Sequence, residues 1–318
     1  MRKELVSQLR CPTSGELLTL NVSQEDDTEV RSGELVSASG RYRYPIVEGV
    51  IELLPVGMLD QQTALEREVR DEKRRDWAVE RQRPYLNDNK SAPWIWPAFA
   101  ANVEQGLAQV PLKGKYVLDV GCATCWSTRM ICERGAAAVA LDISTGILRD
   151  GEAQYGMGVY FNRIAATMTT LPFVDGTFDV VFASASVHHA SDLAQTFREF
   201  SRVLRSGGQI VLVNEPVLGR LRSGASFGQD EIEQGMNEHI YRLHDYEAAA
   251  RAVGFTVRTL FPADLAKQLE GTNPAPPGPI QRLQPLWGLV PSFAHGLALR
   301  LGHEFIGLSL VMVANKQG

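Results

Sequence analysis

Residues 115–130, KYVLDVGCATCWSTRM, decide how the chain is read. Val117, Leu118 and Val120 are apolar and β-prone, as a strand buried on both faces requires, and Asp119 sets a carboxylate near its carboxyl end. Gly121, Cys122, Ala123, Thr124 and Cys125 form a loop of small side chains, and Trp126 to Glu133 read as the helix that follows. Such a half-unit brings backbone amides at a helix N-terminus within reach of a ligand. The loop lacks the strict G-x-G-x-x-G spacing, so taken alone it fits a plain strand-to-helix turn equally well. The next unit tips the balance: AAAVALDIS, residues 136–144, is a second apolar strand, and it ends in Asp142. An acidic side chain about twenty residues past the loop can accept both hydroxyl protons of a ribose.

The words LDVGCATCWST, VALDIS and then TTLPFVDGTFDVVFASASVHHASDLAQTFREFSRVLRSGGQIVLVNEP stand in the order found in class I S-adenosylmethionine-dependent methyltransferases. The chain resembles the small-molecule type of that family from about residue 115 to its C-terminus. The resemblance implies an α/β fold, a Rossmann-like seven-stranded methyltransferase sheet with helices on both faces, and S-adenosyl-L-methionine as cofactor. It implies that Asp119 orients the methionine end, that Gly121, Cys122 and Ala123 form the loop beside it, that Asp142 grips the ribose and that Ile143 packs on adenine. Thr167 stands where the family often has an acidic residue for the adenine amine, the Met168 amide offers a substitute contact, and Ala185 completes the cofactor set. Ala123 and Cys125 occupy positions where the family usually has glycine, and their Cβ atoms disfavour positive φ. Cys122 and Cys125 also have the C-x-x-C spacing of redox or metal sites, a reading ranked below small-residue substitution in this setting.

Candidate catalytic groups follow from position. His188 and His189 come just past the end of the fourth strand, 179–184, at the edge where open α/β sheets place ligands, and an imidazole there can act as general base. Packing against the next helix is the alternative. Glu215 ends the fifth strand at the same edge, with a loop-capping carboxylate as its plain reading. His239 and Tyr241 alternate as on an extended segment, Asp245 suits an N-cap, and Tyr85, Trp94 and Trp96 are aromatic candidates for an acceptor pocket or for packing.

Residues 1–57 contain turn-bounded β-prone segments, enough for a small N-terminal β-rich domain. The words LRCP and SGRYRYPIVEGVIELLP resemble a zinc-ribbon-like domain found as a methyltransferase activator subunit and fused to some methyltransferases. Its two cysteine pairs correspond here to Cys11 with Ser14 and Val36 with Ser39, so the expectation is a degenerate ribbon that holds no metal and docks on the rest of the chain, since one thiolate cannot build a tetrahedral zinc site. Residues 58–114 read as a helical linker or lid and residues 115–318 as the methyltransferase domain. An insertion at about 264–302 carries Trp287, Leu289, Phe293, Leu297 and Leu301 on one face, which suits a lid or a homodimer contact, with peripheral membrane docking disfavoured by the few basic residues. Long insertions of this kind usually serve one of those ends.

The composition of 44% hydrophobic and 22% charged residues is that of a globular enzyme. A formal net charge of -5 argues against a surface that tracks phosphates, which disfavours an RNA methyltransferase and leaves a small molecule as the expected acceptor. A scaffold that binds the cofactor without using it is the other alternative. The four cysteines do not form a disulfide framework, and no run approaches the roughly eighteen apolar residues of a membrane span, so a cytoplasmic protein is expected.

Overall fold

The computed structural model describes residues 1–55, 57, 59–81, 95–221, 238–275 and 279–317 of the 318-residue chain. In chain order the strands are β1 (Leu18–Glu25), β2 (Val30–Ser37), β3 (Arg43–Val47), β4 (Val50–Glu52), β5 (Tyr116–Val120), β6 (Ala137–Asp142), β7 (Asn162–Ala165), β8 (Phe178–Ser184), β9 (Leu204–Glu215), β10 (Phe255–Thr259) and β11 (Leu310–Lys316). The helices are α1 (Gln61–Arg81), α2 (Ile95–Leu107), α3 (Trp126–Glu133), α4 (Thr145–Asp150), α5 (Leu193–Val203), α6 (Leu243–Ala252), α7 (Ala263–Leu269), α8 (Pro279–Trp287) and α9 (His295–Leu301).

The sheet runs β1-β2-β3-β4-β7-β6-β5-β8-β9-β11-β10. The seven strands from residue 116 onward make its α/β part, parallel from β7 to β9, with β11 antiparallel to both β9 and β10. Alternation along each strand feeds two cores. Leu118, Val120, Val139 and Leu141 face the layer of Phe197, Phe200 and Tyr246, while Val117, Ala138 and Ala140 face Val103, Leu107, Met130 and Ile131. The order places a crossover between β5 and β8, so the carboxyl ends of β5, β6 and β8 meet at one crevice.

The N-terminal strands continue this sheet. β4 pairs parallel to β7, Val50 opposite Arg163 and Glu52 opposite Ala165, so the antiparallel unit extends the edge that β7 would otherwise leave open. The join is reinforced by charge: Glu29, whose side chain is 1% exposed, bonds the Met1 ammonium at 2.8 Å and the fully buried Arg163 at 3.0 Å. Gly207 and Gly208 follow the helix closely enough to suit a C-cap, but they lie inside β9. α5 ends at Val203 because Leu204 is already extended, and Gly207, at φ 73°, serves the irregular pairing of β8 with the start of β9. At the other end Asp192 caps α5 by accepting from the Gln195 amide at 2.8 Å. None of the described helices is long and apolar enough to cross a membrane.

Removing one partner of a buried ion pair strands the other charge, which costs about 3–5 kcal/mol. Glu29→Ala should therefore lower the unfolding free energy by about that amount in urea titrations. A loss below about 1 kcal/mol would mean that strand pairing alone holds the N-terminal unit.

Candidate active site

Three acidic side chains stand buried at the tips of parallel strands, and the loops are built around them. Asp119 on β5 is 1% exposed, and its Oδ2 accepts from Ser127 Oγ at 2.7 Å and Thr128 Oγ1 at 2.6 Å, both from the first turn of α3. Its Oδ1 has no hydrogen-bond partner among the described residues. Burial pushes this carboxyl up to about 6, against the pull of the two hydroxyls. Asp142 on β6 accepts from the Ala123 amide at 3.0 Å and from the Ser144 amide at 3.0 Å, so it clamps the loop after β5 to the loop after β6. Ile143 lies between Asp142 and Ser144 and is partly buried.

The loop after β5 keeps a glycine-like backbone without the glycines. Ala123 sits at φ 48° and Cys125 at φ 60°, a region that costs non-glycine residues roughly 1–2 kcal/mol each. Ala185 at φ 50° and Asn214 at φ 60°, past and near the ends of β8 and β9, share that conformation. Gly121 answers to a protein contact: a Cβ there would meet Ser186 Cβ at 2.2 Å. Ser186 in turn donates from Oγ to the Val120 carbonyl at 2.8 Å, tying the two loops together. The Cys122 and Cys125 sulfurs are 3.8 Å apart and buried, and burial raises the Cys122 thiol well above its ordinary value. That disfavours the thiolate a reactive cysteine needs.

Glu215 at the end of β9 is fully buried and accepts the amides of Ser186, Val187 and His188 at 2.9, 3.0 and 3.1 Å. It also bonds His188 Nδ1 at 2.7 Å. Of the two readings of this carboxylate, the hydrogen bonds match the loop-capping one: it holds the turn Val187–His189 and positions His188. His188 Nε2 lies 3.4 Å from Glu238, while His189 Nδ1 lies 3.5 Å from Glu238 and 3.4 Å from Glu66. His239 donates its amide to the His188 carbonyl at 3.0 Å, a bond that draws residues 238–240 against the turn carrying the two histidines. Its partly buried ring is held below the ordinary imidazole value by burial and by His188.

α1 reaches the loops at these strand tips. Glu66, 4% exposed, accepts from Arg70 Nε at 2.9 Å, Asp71 accepts from Ser144 Oγ and from the Gly146 amide, and Arg67 pairs with Glu52. Burial raises the Glu66 carboxyl, with the Arg70 charge opposing it. Within the segment read as a helical linker or lid, the Glu66–Asp71 turn therefore reaches the loops at the strand tips. Sequence reasoning missed Glu66 and Arg70 because their spacing is that of any surface helix pair, and missed Glu238 because its approach to the histidine turn is a long-range event. It also missed Asn102, whose Nδ2 donates to Asn214 Oδ1 at 2.9 Å and fixes α2 to the end of β9.

Other expected residues lie apart from this centre or outside it. Thr167 is buried and paired in an isolated bridge with Thr170, and Met168 packs against the core, so both stay near the end of β7. Tyr241 donates its hydroxyl to the Ala190 carbonyl at 3.3 Å. Asp245 is not the N-cap of α6: it sits three residues after Arg242 and reaches back to that residue's amide at 2.8 Å. Trp96 meets Phe99 edge to face, with ring centres 6.1 Å apart. Tyr85 and Trp94 lie outside the described residues.

Comparison with known proteins bears on the class. Residues 118–212 match the family model described as a methyltransferase domain. The chain is 30% identical over 163 residues to a malonyl-[acyl-carrier protein] O-methyltransferase of Coxiella burnetii, covering 50% of this chain and 53% of that protein. It is 36% identical over 99 residues to a demethylmenaquinone methyltransferase of Mycolicibacterium paratuberculosis, covering 31% and 41%. The chain thus spans about half the length, or less, of these curated relatives. Among solved structures, the [4+2]-cyclase SpnF shares the fold with a TM-score of 0.54 and 17% identity, over 81% of this chain and 97% of that one. Over residues 118–212, from β5 into β9, the chain is thus similar to a methyltransferase domain.

Two outcomes follow from this geometry. Because the folded-state value of Asp119 lies above its unfolded value, its contribution to stability is present at low pH and is lost as pH rises through about 6. The stability of Asp119→Asn relative to wild type should therefore be greater at pH 7.5 than at pH 5 by about 1–1.5 kcal/mol, read from urea titrations at the two pH values. A difference that is flat with pH would contradict the shift. Ala123→Gly should raise stability by about 1 kcal/mol by relieving the positive φ, and a loss of stability would show that the loop is unstrained.

Proposed function

We propose that this chain transfers a methyl group from S-adenosyl-L-methionine to a small-molecule acceptor with an oxygen, nitrogen or carbon nucleophile. The observation that carries the reading is the pair of buried aspartates at neighbouring strand tips, Asp119 with an Oδ1 that has no partner among the described residues and Asp142 beside the small-residue loop. An unpaired buried carboxylate oxygen calls for a donor, and the amino group of a methionine moiety supplies one. Asp142 would accept the ribose hydroxyls with the lone pairs its two amide bonds leave free, Ile143 would pack on the adenine, and Thr167 and Met168 would border that ring. When bound, the cofactor supplies the sulfonium methyl as the reactive group.

The remaining work is positioning. His188 and His189 are offered at the crevice by a turn that Glu215 holds, which suits them to orient an acceptor or to take its proton. His239 borders the same turn, and Tyr85 is proposed as a further acceptor contact. Glu66 and Arg70 on α1 narrow the opening and would limit water. The names of the relatives, a malonyl-[acyl-carrier protein] O-methyltransferase and a demethylmenaquinone methyltransferase, agree with a small acceptor group.

Three wider readings belong to this proposal. Residues 1–57 would be a degenerate zinc-ribbon-like unit that docks on the residue 115–318 domain through β4. The exposed face of Leu289, Phe293 and Leu297, at 77%, 88% and 62% exposure, would meet a second copy of the chain. The free cysteines agree with a cytoplasmic protein.

Calorimetry with S-adenosylmethionine and its demethylated product tests the reading. Both should bind, and Asp142→Ala should weaken them by about 1.5–3 kcal/mol through loss of charged hydrogen bonds. Absence of binding to the wild-type protein, or an unchanged affinity in the variant, would remove the assignment.

A further inference from the structure

The cluster beyond β8 has a composition that proton transfer alone does not explain. His188 directs Nδ1 at the buried Glu215 carboxylate, 2.7 Å away. In the neutral ring that nitrogen is the donor, so Nε2 carries a lone pair, and it faces another lone-pair bearer, the Glu238 carboxylate, at 3.4 Å. His189 Nδ1 stands 3.5 Å from Glu238 and 3.4 Å from Glu66. Acceptors that face one another inside a protein need a proton or a cation between them.

The spacings favour a cation. A charge-assisted hydrogen bond draws nitrogen and oxygen to about 2.7–2.9 Å, shorter than these separations. Two donors each about 2.0–2.2 Å from a tetrahedral ion stand roughly 3.3–3.6 Å apart. The ligand atoms of His188, His189 and Glu238 all lie within 4.8 Å of one another, and the rings of the two histidines have centres 4.1 Å apart. The Glu215–His188 contact is also the carboxylate–histidine arrangement that fixes the tautomer of a ligating imidazole.

We propose that His188, His189 and Glu238 bind a divalent transition-metal ion, with Glu66 on its border and Glu215 orienting His188. Two imidazoles and a carboxylate suit zinc, iron, cobalt or nickel better than magnesium or calcium. Three protein ligands leave at least one position of a four- to six-coordinate ion for an oxygen atom of the acceptor. That last step rests on the methyl-transfer reading; binding of the ion does not.

The test is calorimetric titration of the metal-stripped full-length protein with Zn²⁺, alongside the visible spectrum of the Co²⁺-loaded form, both without S-adenosylmethionine. One equivalent should bind, and Glu238→Gln and His189→Ala should each weaken it at least about 10-fold and alter the cobalt bands. Circular dichroism of each variant establishes that it is folded. Cys11→Ser, which removes the only cysteine of residues 1–57, and Asp142→Ala should both keep the ion. Their retention separates this site from an N-terminal zinc site and from the cofactor reading. Failure of wild type to bind, binding unchanged in both ligand variants, or loss of the ion in Cys11→Ser would overturn the proposal.

Discussion

A carboxylate inside a protein must be met by donors, and that demand shapes the whole crevice. Asp119, Asp142 and Glu215 stand at or next to the ends of three strands of one sheet, and each accepts from groups beside it: hydroxyls of α3, amides of the loops after β5 and β6, and amides of the turn after β8. The loops therefore cannot relax independently. Gly121 admits Ser186, Ser186 bonds Val120, and the positive φ values at Ala123, Cys125 and Ala185 are held by the same web. Asp119 differs from the other two in keeping one oxygen without a described partner, and that is where the proposed cofactor enters the argument.

The N-terminal unit extends the same logic away from the crevice. Its last strand pairs with β7, and Glu29 links the Met1 ammonium to Arg163, whose guanidinium also donates to the Leu148 carbonyl of α4 at 3.2 Å. α4 begins at Ser144, which bonds Asp71 of α1 and caps the helix through the Ile147 amide at 3.1 Å. A continuous set of contacts thus joins the added strands, the helix over the crevice and the tip of β6. Residues 1–81 are part of how the crevice is built and enclosed.

The α/β part of the fold was legible because buried parallel strands are written as apolar runs, and Val117–Val120, Val139–Leu141 and Val180–Ala183 are such runs. The positions of Asp119, Asp142 and the histidine pair followed from strand ends. What could not be read was which way a carboxylate at a strand end is spent. In sequence Glu215 fits a ligand-facing group and a loop-capping carboxylate equally, and only the fold shows three amides and an imidazole around it. Pairing across a sheet edge and the descent of Glu66 onto His189 are long-range events with no local signature, so both stayed hidden. Gly207 and Gly208 do not cap α5, because the strand begins directly after it and absorbs them in an irregular ladder.

The central claim is that one nucleotide-like cofactor lies across the tips of β5 and β6. A crystal structure grown with the demethylated cofactor addresses it most directly. The account predicts ribose hydroxyls within hydrogen-bond distance of Asp142 and the amino group at the free oxygen of Asp119. A ribose held by other residues, or a crevice that stays empty at saturating concentration, would contradict it.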